Sequence, residues 1–225
     1  MYIPRHFTMN PARVTELLQS ATTAQLVTAH EDGPAATLLP LTWRAHPSGE
    51  GWGSLIFHVA RVNPVWKRPH LGDALAILSG PDGYIHADWY ASQEAEPGVS
   101  TWNYATVHAY GPLVVHDDPD WVLGASRELS SRHGSDLDQV DPGAVAKMLR
   151  AIVGIEVPIA RIEAKDKLSQ NRSPDDVRGA IDGVRAAGHD ALADAMDEVS
   201  VPHAEARYQL LRDLGEGRRP RSPRS

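Results

Sequence analysis

Residues 54–68 read Ser-Leu-Ile-Phe-His-Val-Ala-Arg-Val-Asn-Pro-Val-Trp-Lys-Arg. The first seven are an apolar, β-prone run of strand length, and Asn63-Pro64 ends it because proline has no N–H to give to a ladder. The segment that follows is crowded with donors. Arg61, Asn63 and Lys67 suit a phosphate, with the arginine offering a bidentate fork; a solvated strand exit is the plainer alternative, and the block alone leaves both open.

Short apolar runs of the same kind recur on either side, at 25–29, 35–43, 74–78, 84–90 and 102–115, with Gly and Pro between them. This spacing predicts an antiparallel sheet closing into a barrel, in an α+β chain that is mainly β. Glu31-Asp32-Gly33, Pro47-Ser48-Gly49 and the stretch from Gly80 to Gly83 read as hairpin turns. Helices open at Asn10-Pro11, Asp118-Pro119, Asp141-Pro142 and Ser173-Pro174, each a capping side chain followed by proline at the first helical position. The helix after Asp141 is expected to turn Val145, Met148, Leu149 and Ile152 inward and to stop at Gly154, with one return strand over 155–165. Beyond Ser173, Val177, Ala180, Ile181 and Val184 form an apolar stripe, and further helix follows Gly188. The expected organisation is a main domain over 1–172, a C-terminal helical segment over 173–214 and a flexible basic tail over 215–225.

The chain has 225 residues and no cysteine, which excludes thiolate zinc, iron–sulfur clusters, a cysteine nucleophile and disulfides. No run approaches the roughly 18 apolar residues of a membrane span, so a cytoplasmic protein without a membrane role is expected. A formal charge of −7 opposes phosphate backbones and argues against direct DNA binding. Arg218, Arg219, Arg221 and Arg224 form a local basic patch in a Pro/Ser setting that reads as a solvated terminus. Eleven histidines occur without metal-ligand spacing, so no dedicated metal site is expected. An axial ligand for haem is a weaker demand, which His58 or His108 meets. Phosphate-loop, Rossmann and hydrolase fingerprints are absent, and no catalytic acid or base is assignable.

Two further blocks carry chemistry. Tyr84-Ile85-His86-Ala87-Asp88-Trp89-Tyr90 and Thr101-Trp102-Asn103-Tyr104 concentrate aromatic rings with polar tips, which suit a planar heterocycle and equally suit a barrel core. Lys165-Asp166-Lys167-Leu168-Ser169-Gln170-Asn171-Arg172 is donor-rich and fits an anionic ligand or a polar loop.

Together with the opening Met1-Tyr2-Ile3-Pro4-Arg5-His6-Phe7, the segments FHVARVNPVW, ALAILSGPDGYI, TWNYATVHAYGPL, MLRAIVG and KLSQNRS make the chain resemble the PaiB family of flavin-binding negative transcriptional regulators, from Met1 to about Arg178. The resemblance implies a split β-barrel with flanking helices and a C-terminal helical appendage, a homodimer, and FMN in pockets shared between subunits. It also implies pocket roles for His58, Arg61, Asn63, Trp66, Thr101, Trp102, Asn103, His108, Lys167, Ser169, Gln170, Asn171 and Arg172. The chain departs from the family pattern at Thr37, where a histidine usually stands. Haem-dependent relatives, the piperazate synthases, close an N–N bond in N-hydroxyornithine, so haem b with His58 as axial ligand is the alternative cofactor. A regulatory or redox-sensing protein that acts indirectly on transcription is the first expectation; a haem enzyme or a flavin oxidoreductase is the second.

Overall fold

The computed structural model describes residues 1–95 and 97–217, with side chains through 214. The four arginines of the expected basic tail lie outside the described residues. The chain forms two compact units: Met1, Met9–Gly80 and Thr106–Ala164 make the first, and Tyr2–Thr8, Pro81–Ala105 and Lys165 onward make the second.

Helix α1 (Pro11–Ser20) begins where the Asn10 side chain accepts from the Arg13 N–H at 2.9 Å. Strands β1 (Thr23–His30) and β2 (Gly33–Pro40) form the first hairpin, closed through Gly33 at φ +120°. Along β1, Ala24, Leu26, Thr28 and His30 are buried in alternation, the period a half-buried strand requires. Then come β3 (Thr42–Arg44), β4 (Ser54–Ala60), β5 (Ala74–Ile85), β6 (Thr101–Gly111) and β7 (Val114–His116). The turn expected at Pro47-Ser48-Gly49 is present between β3 and β4.

Helices α2 (Pro119–Arg132) and α3 (Pro142–Ala151) are capped by Asp118 and Asp141, as the sequence predicts. Val122 and Ala125 bury in α2, whereas Val145, Met148 and Leu149 of α3 are only half-buried. Strands β8 (Ile152–Pro158) and β9 (Arg161–Lys167) complete the sheets, and helices α4 (Pro174–Ala186) and α5 (Asp190–Gly217) belong to the second unit. There Val177, Ala180, Ile181 and Val184 pack with Leu192, Ala193 and Met196 around Ile85 and Leu168.

The strands sort into a five-stranded sheet, β2-β1-β5-β6-β9, and a four-stranded sheet, β3-β4-β8-β7. Among the described residues neither order returns on itself, so two sheets replace the single closing sheet expected. Only the fully buried Leu41 separates β2 from β3, and Pro112 and Leu113 separate β6 from β7. The return strand also divides, at Ile159 and Ala160, into β8 and β9.

Two glycines corrected the expected boundaries. Gly80 to Gly83 is no turn but the middle of β5, and a Cβ at Gly83 would stand 2.8 Å from Leu192 Cδ2, so that glycine admits a helix side chain. Gly154 does not stop α3, which ends at Ala151. It lies in β8, where a Cβ would stand 2.2 Å from the Trp121 ring. That indole stacks on His116 with centroids 3.8 Å apart.

Gly154→Ala is therefore expected to lower the unfolding free energy by roughly 1–3 kcal/mol through overpacking. Gly124→Ala, in α2 with nothing within 4 Å of its Cβ position, should raise it by up to about 1 kcal/mol. Chemical denaturation of both variants checks the pair.

Candidate functional site

In the first unit, the turn after β4 is organised by Arg61. Its guanidinium bonds to Asp117 Oδ2 at 2.9 Å and Oδ1 at 2.5 Å, to the Arg150 carbonyl at 2.9 Å and to the Ile152 carbonyl at 3.1 Å. The Arg61 N–H donates to Ala151 and the Arg61 carbonyl accepts from Trp66 Nε1 at 3.0 Å. The hydrogen bond from the Arg61 guanidinium to the Asp117 carboxylate raises the Arg61 pKa and lowers that of Asp117. The fork expected to meet a phosphate is thus occupied by a carboxylate and two carbonyls, and Arg61 positions the turn. Sequence reasoning missed Asp117, because Asp117-Asp118-Pro119 reads as a helix start and only Asp118 performs that task.

Of the other donors of the turn, Arg68 is paired with Asp32, while Asn63 and Lys67 are less committed. Asn63 caps a short 3-10 turn by accepting from the Val65 N–H at 3.0 Å, which leaves its amide N–H groups. The Lys67 ammonium sits 4.4 Å from the Trp66 ring centroid and makes no ion pair among the described residues. Asn63, Pro64, Val65 and Arg68 line a cleft of about 370 Å³ whose other walls are His30, Ala35, Thr37 and Val62. His30 holds its wall by bonds to Thr28 Oγ1 at 2.8 Å and to the Pro69 carbonyl at 2.6 Å. Ligand clefts begin at about 300 Å³; this one offers the Asn63 amide, the Arg68 guanidinium on its wall is paired with Asp32, and Lys67 belongs to the same turn without lining the cleft. The residues present fit the phosphate end of a mononucleotide.

His58 lies on β4 and His108 on β6, both in the first unit. No hydrogen bond to the His58 ring is present among the described residues, and burial pushes its pKa down. His108 is also lowered, first by burial and then by the N-terminal charge, with Glu163 opposing.

The second unit holds the remaining candidates. Asn103 is fully buried and bonds Ser169 Oγ at 2.9 Å. Ser169 has φ +70°, a left-handed conformation that a side chain disfavours, and its neighbours fix it there. Gln170 accepts from the Leu168 N–H at 2.8 Å and donates to the Asp166 carbonyl at 2.7 Å, while Ser200 donates to the Leu168 carbonyl at 2.7 Å. The polar atoms of the loop are thereby engaged with one another. Asn171 is exposed and its carbonyl accepts from Arg207. Lys167 donates to Thr101 Oγ1 at 2.7 Å and to the Trp102 carbonyl. Arg172 stands 4.3 Å from the centroid of Tyr90, whose buried hydroxyl has no hydrogen-bond partner among the described residues. Tyr90 belongs to the aromatic block the sequence marks, whereas nothing local in the sequence marks Ser200.

Residues 1–161 match the family described as "Putative FMN-binding domain". The chain belongs to this FMN-binding family. Within it, the chain is 30% identical over 189 residues to Protease synthase and sporulation protein PAI 2 of Bacillus subtilis (strain 168), covering 81% of this chain and 88% of that protein. The resemblance to PaiB is thereby confirmed. Among solved structures, the conserved hypothetical protein Rv2991 from Mycobacterium tuberculosis aligns with TM-score 0.53 at 15% identity, over 74% of this chain and 91% of that one. The flavocytochrome Anf3 from Azotobacter vinelandii aligns with TM-score 0.54 at 16% identity, over 73% and 72%. These likenesses support the mainly antiparallel split-barrel class, and FMN is the family's cofactor.

The lowered His58 pKa fixes a sign. Between the folded value and 6.5 the unfolded chain binds the extra proton, so stability rises with pH across that window and falls as pH drops through it. NMR should place the His58 ring midpoint below 6.5, and His58→Gln should flatten the rise in denaturation midpoint between acidic and neutral pH. A midpoint at or above 6.5 contradicts this reading.

Proposed function

We propose that the chain holds FMN through the turn after β4 and works as a redox-responsive regulatory protein, acting through a partner rather than by gripping DNA. The observation that carries the reading is the donor set of this turn: with Arg68 on the cleft wall engaged by Asp32, Asn63 on the same wall keeps free amide hydrogens and Lys67 makes no ion pair among the described residues. These side chains receive the phosphate. Arg61 and Trp66 hold the turn in shape, and Lys67 is kept over the indole by cation–π attraction. FMN supplies reversible one- and two-electron transfer when bound.

The net charge of −7 supports an indirect regulatory role, since DNA contact draws most of its affinity from Lys and Arg. A homodimer in the cytoplasm belongs to the same proposal. No described helix is long and apolar enough to cross a membrane.

One observation favours a second reading. An axial haem ligand must be neutral and have a free nitrogen, and His58 is pushed toward neutrality with no hydrogen bond to its ring among the described residues. If haem is the physiological group, hemin addition gives a Soret band that His58→Ala abolishes.

For FMN, a charge-assisted hydrogen bond contributes about 1.5–3 kcal/mol, so Lys67→Ala is expected to raise the flavin Kd by roughly 10- to 100-fold. Quenching of flavin fluorescence reads the change. An unaltered Kd in Lys67→Ala and in Asn63→Ala would remove the turn from the site.

A further inference from the structure

Helix α5 repeats its core motif where the repeat is left in water. Leu192, Ala193 and Met196 fill the core of the second unit together with α4. Leu210, Leu211 and Leu214 each follow one of them by 18 residues, which is five turns of 3.6 residues, so the two triplets share one side of the helical period. The first triplet is 1%, 0% and 0% exposed, whereas the second is 58%, 51% and 53% exposed. Pro202 lies between them, at the kind of interior position where a helix changes direction.

The exposed triplet stands on an anchored helix. Arg178 of α4 pairs with Glu205, and Arg207 donates to the Asn171 carbonyl at 2.8 Å, so α5 is tied to its unit up to where the leucines begin. Gln209 accepts from Arg212 at 2.8 Å and donates to Asp213 Oδ1 at 2.8 Å, which occupies polar groups along the helix and leaves the leucines as its uncommitted feature. Helices shorter than about 12–15 residues are marginal in water, and an apolar stripe on one is stabilised by burial against another element. Charge selects that element. In the sequence Arg207 and Arg212 precede Asp213 and Glu216, so a second copy of the segment running antiparallel sets opposite signs together, whereas a parallel copy sets like against like. An anionic bilayer is opposed by the two acids and by the formal charge of −7.

We propose that the end of α5 is a docking surface for the same segment of a second copy, packed antiparallel through Leu210, Leu211 and Leu214. Leu210 of one copy lies across from Leu214 of the other, and the Arg207 end of each segment meets the acidic end of its counterpart. Three leucines a side bury less than the about 1,200 Å² of a stable specific interface, so the contact is reversible and adds to association made elsewhere in the molecule. The proposal rests on the second unit alone and does not need the FMN reading.

The chain has no cysteine, so introduced thiols report only on themselves. Full-length Leu210→Cys and Leu214→Cys chains are mixed under mild oxidation, with and without added FMN. The mixed disulfide should form faster than either homodisulfide and faster than Asp197→Cys, on the exposed side of the same helix, links to itself. In sedimentation of the cysteine-free chain, the double variant Leu210→Gln with Leu214→Gln should need at least about tenfold higher concentration to associate to the same extent. If that variant loses helix by circular dichroism, Asp213→Arg replaces it and should weaken association in the same direction. The proposal falls if the mixed disulfide is no faster than the Asp197→Cys control, if the homodisulfides form first, as a parallel pair requires, or if the substitutions leave association unchanged. It falls also if the leucines instead prove necessary for flotation with phosphatidylglycerol vesicles, since a lipid surface would then be the occupant. Failure of the FMN reading shows separately, as absence of the flavin absorption band.

Discussion

The geometry of the proposed FMN turn depends on one guanidinium. Arg61 gathers both oxygens of Asp117 and the carbonyls of Arg150 and Ile152, which ties the exit of β4 to the residue before the α2 cap and to the junction of α3 with β8. Three segments distant in sequence meet there, all within the first unit. With its donors occupied, the arginine is a fixed post, and the indole of Trp66 is hung from its carbonyl. Lys67 and Asn63 then project from a backbone that has little freedom to retreat. Binding costs less when donors are held in place before the ligand arrives, and a rigid turn serves that end better than a mobile arginine.

A comparable economy governs the loop after β9 in the second unit. Ser169 adopts a left-handed backbone, and the buried amides of Asn103 and Gln170 close around it. A buried polar network is stabilising only when its members are satisfied, and here each named amide finds a partner. The loop thereby fixes the end of β9, where Lys167 stands. Gly179 and Gly183 contribute differently: their missing Cβ atoms admit the Trp89 carbonyl and indole, each of which a Cβ would approach to 2.2 Å. The helix stripe buried below is the one the 3.6-residue period marks out.

Local signals were legible and long-range ones were not. Four helices begin where a cap and proline stand together, because capping involves atoms within three residues of each other. Gly80-Pro81-Asp82-Gly83 misleads because its composition suits a turn, whereas the requirement met by Gly83 comes from Leu192, more than a hundred residues away. Gly154 misleads for the same reason through Trp121. The chemistry of the site was visible as donor-rich blocks. The partners of those donors were not: nothing near Arg61 announces Asp117, and nothing near Lys167 announces the Thr101 hydroxyl and Trp102 carbonyl it meets.

The central claim is that the phosphate of FMN, received by the turn at Asn63–Arg68, anchors the flavin. Riboflavin carries the same ring without that group, so comparing the two ligands on the wild-type chain isolates the anchor. FMN is expected to bind at least about tenfold more tightly than riboflavin, with the advantage shrinking as salt screens the charges. Equal affinity for the two, at low and high salt alike, would contradict the account.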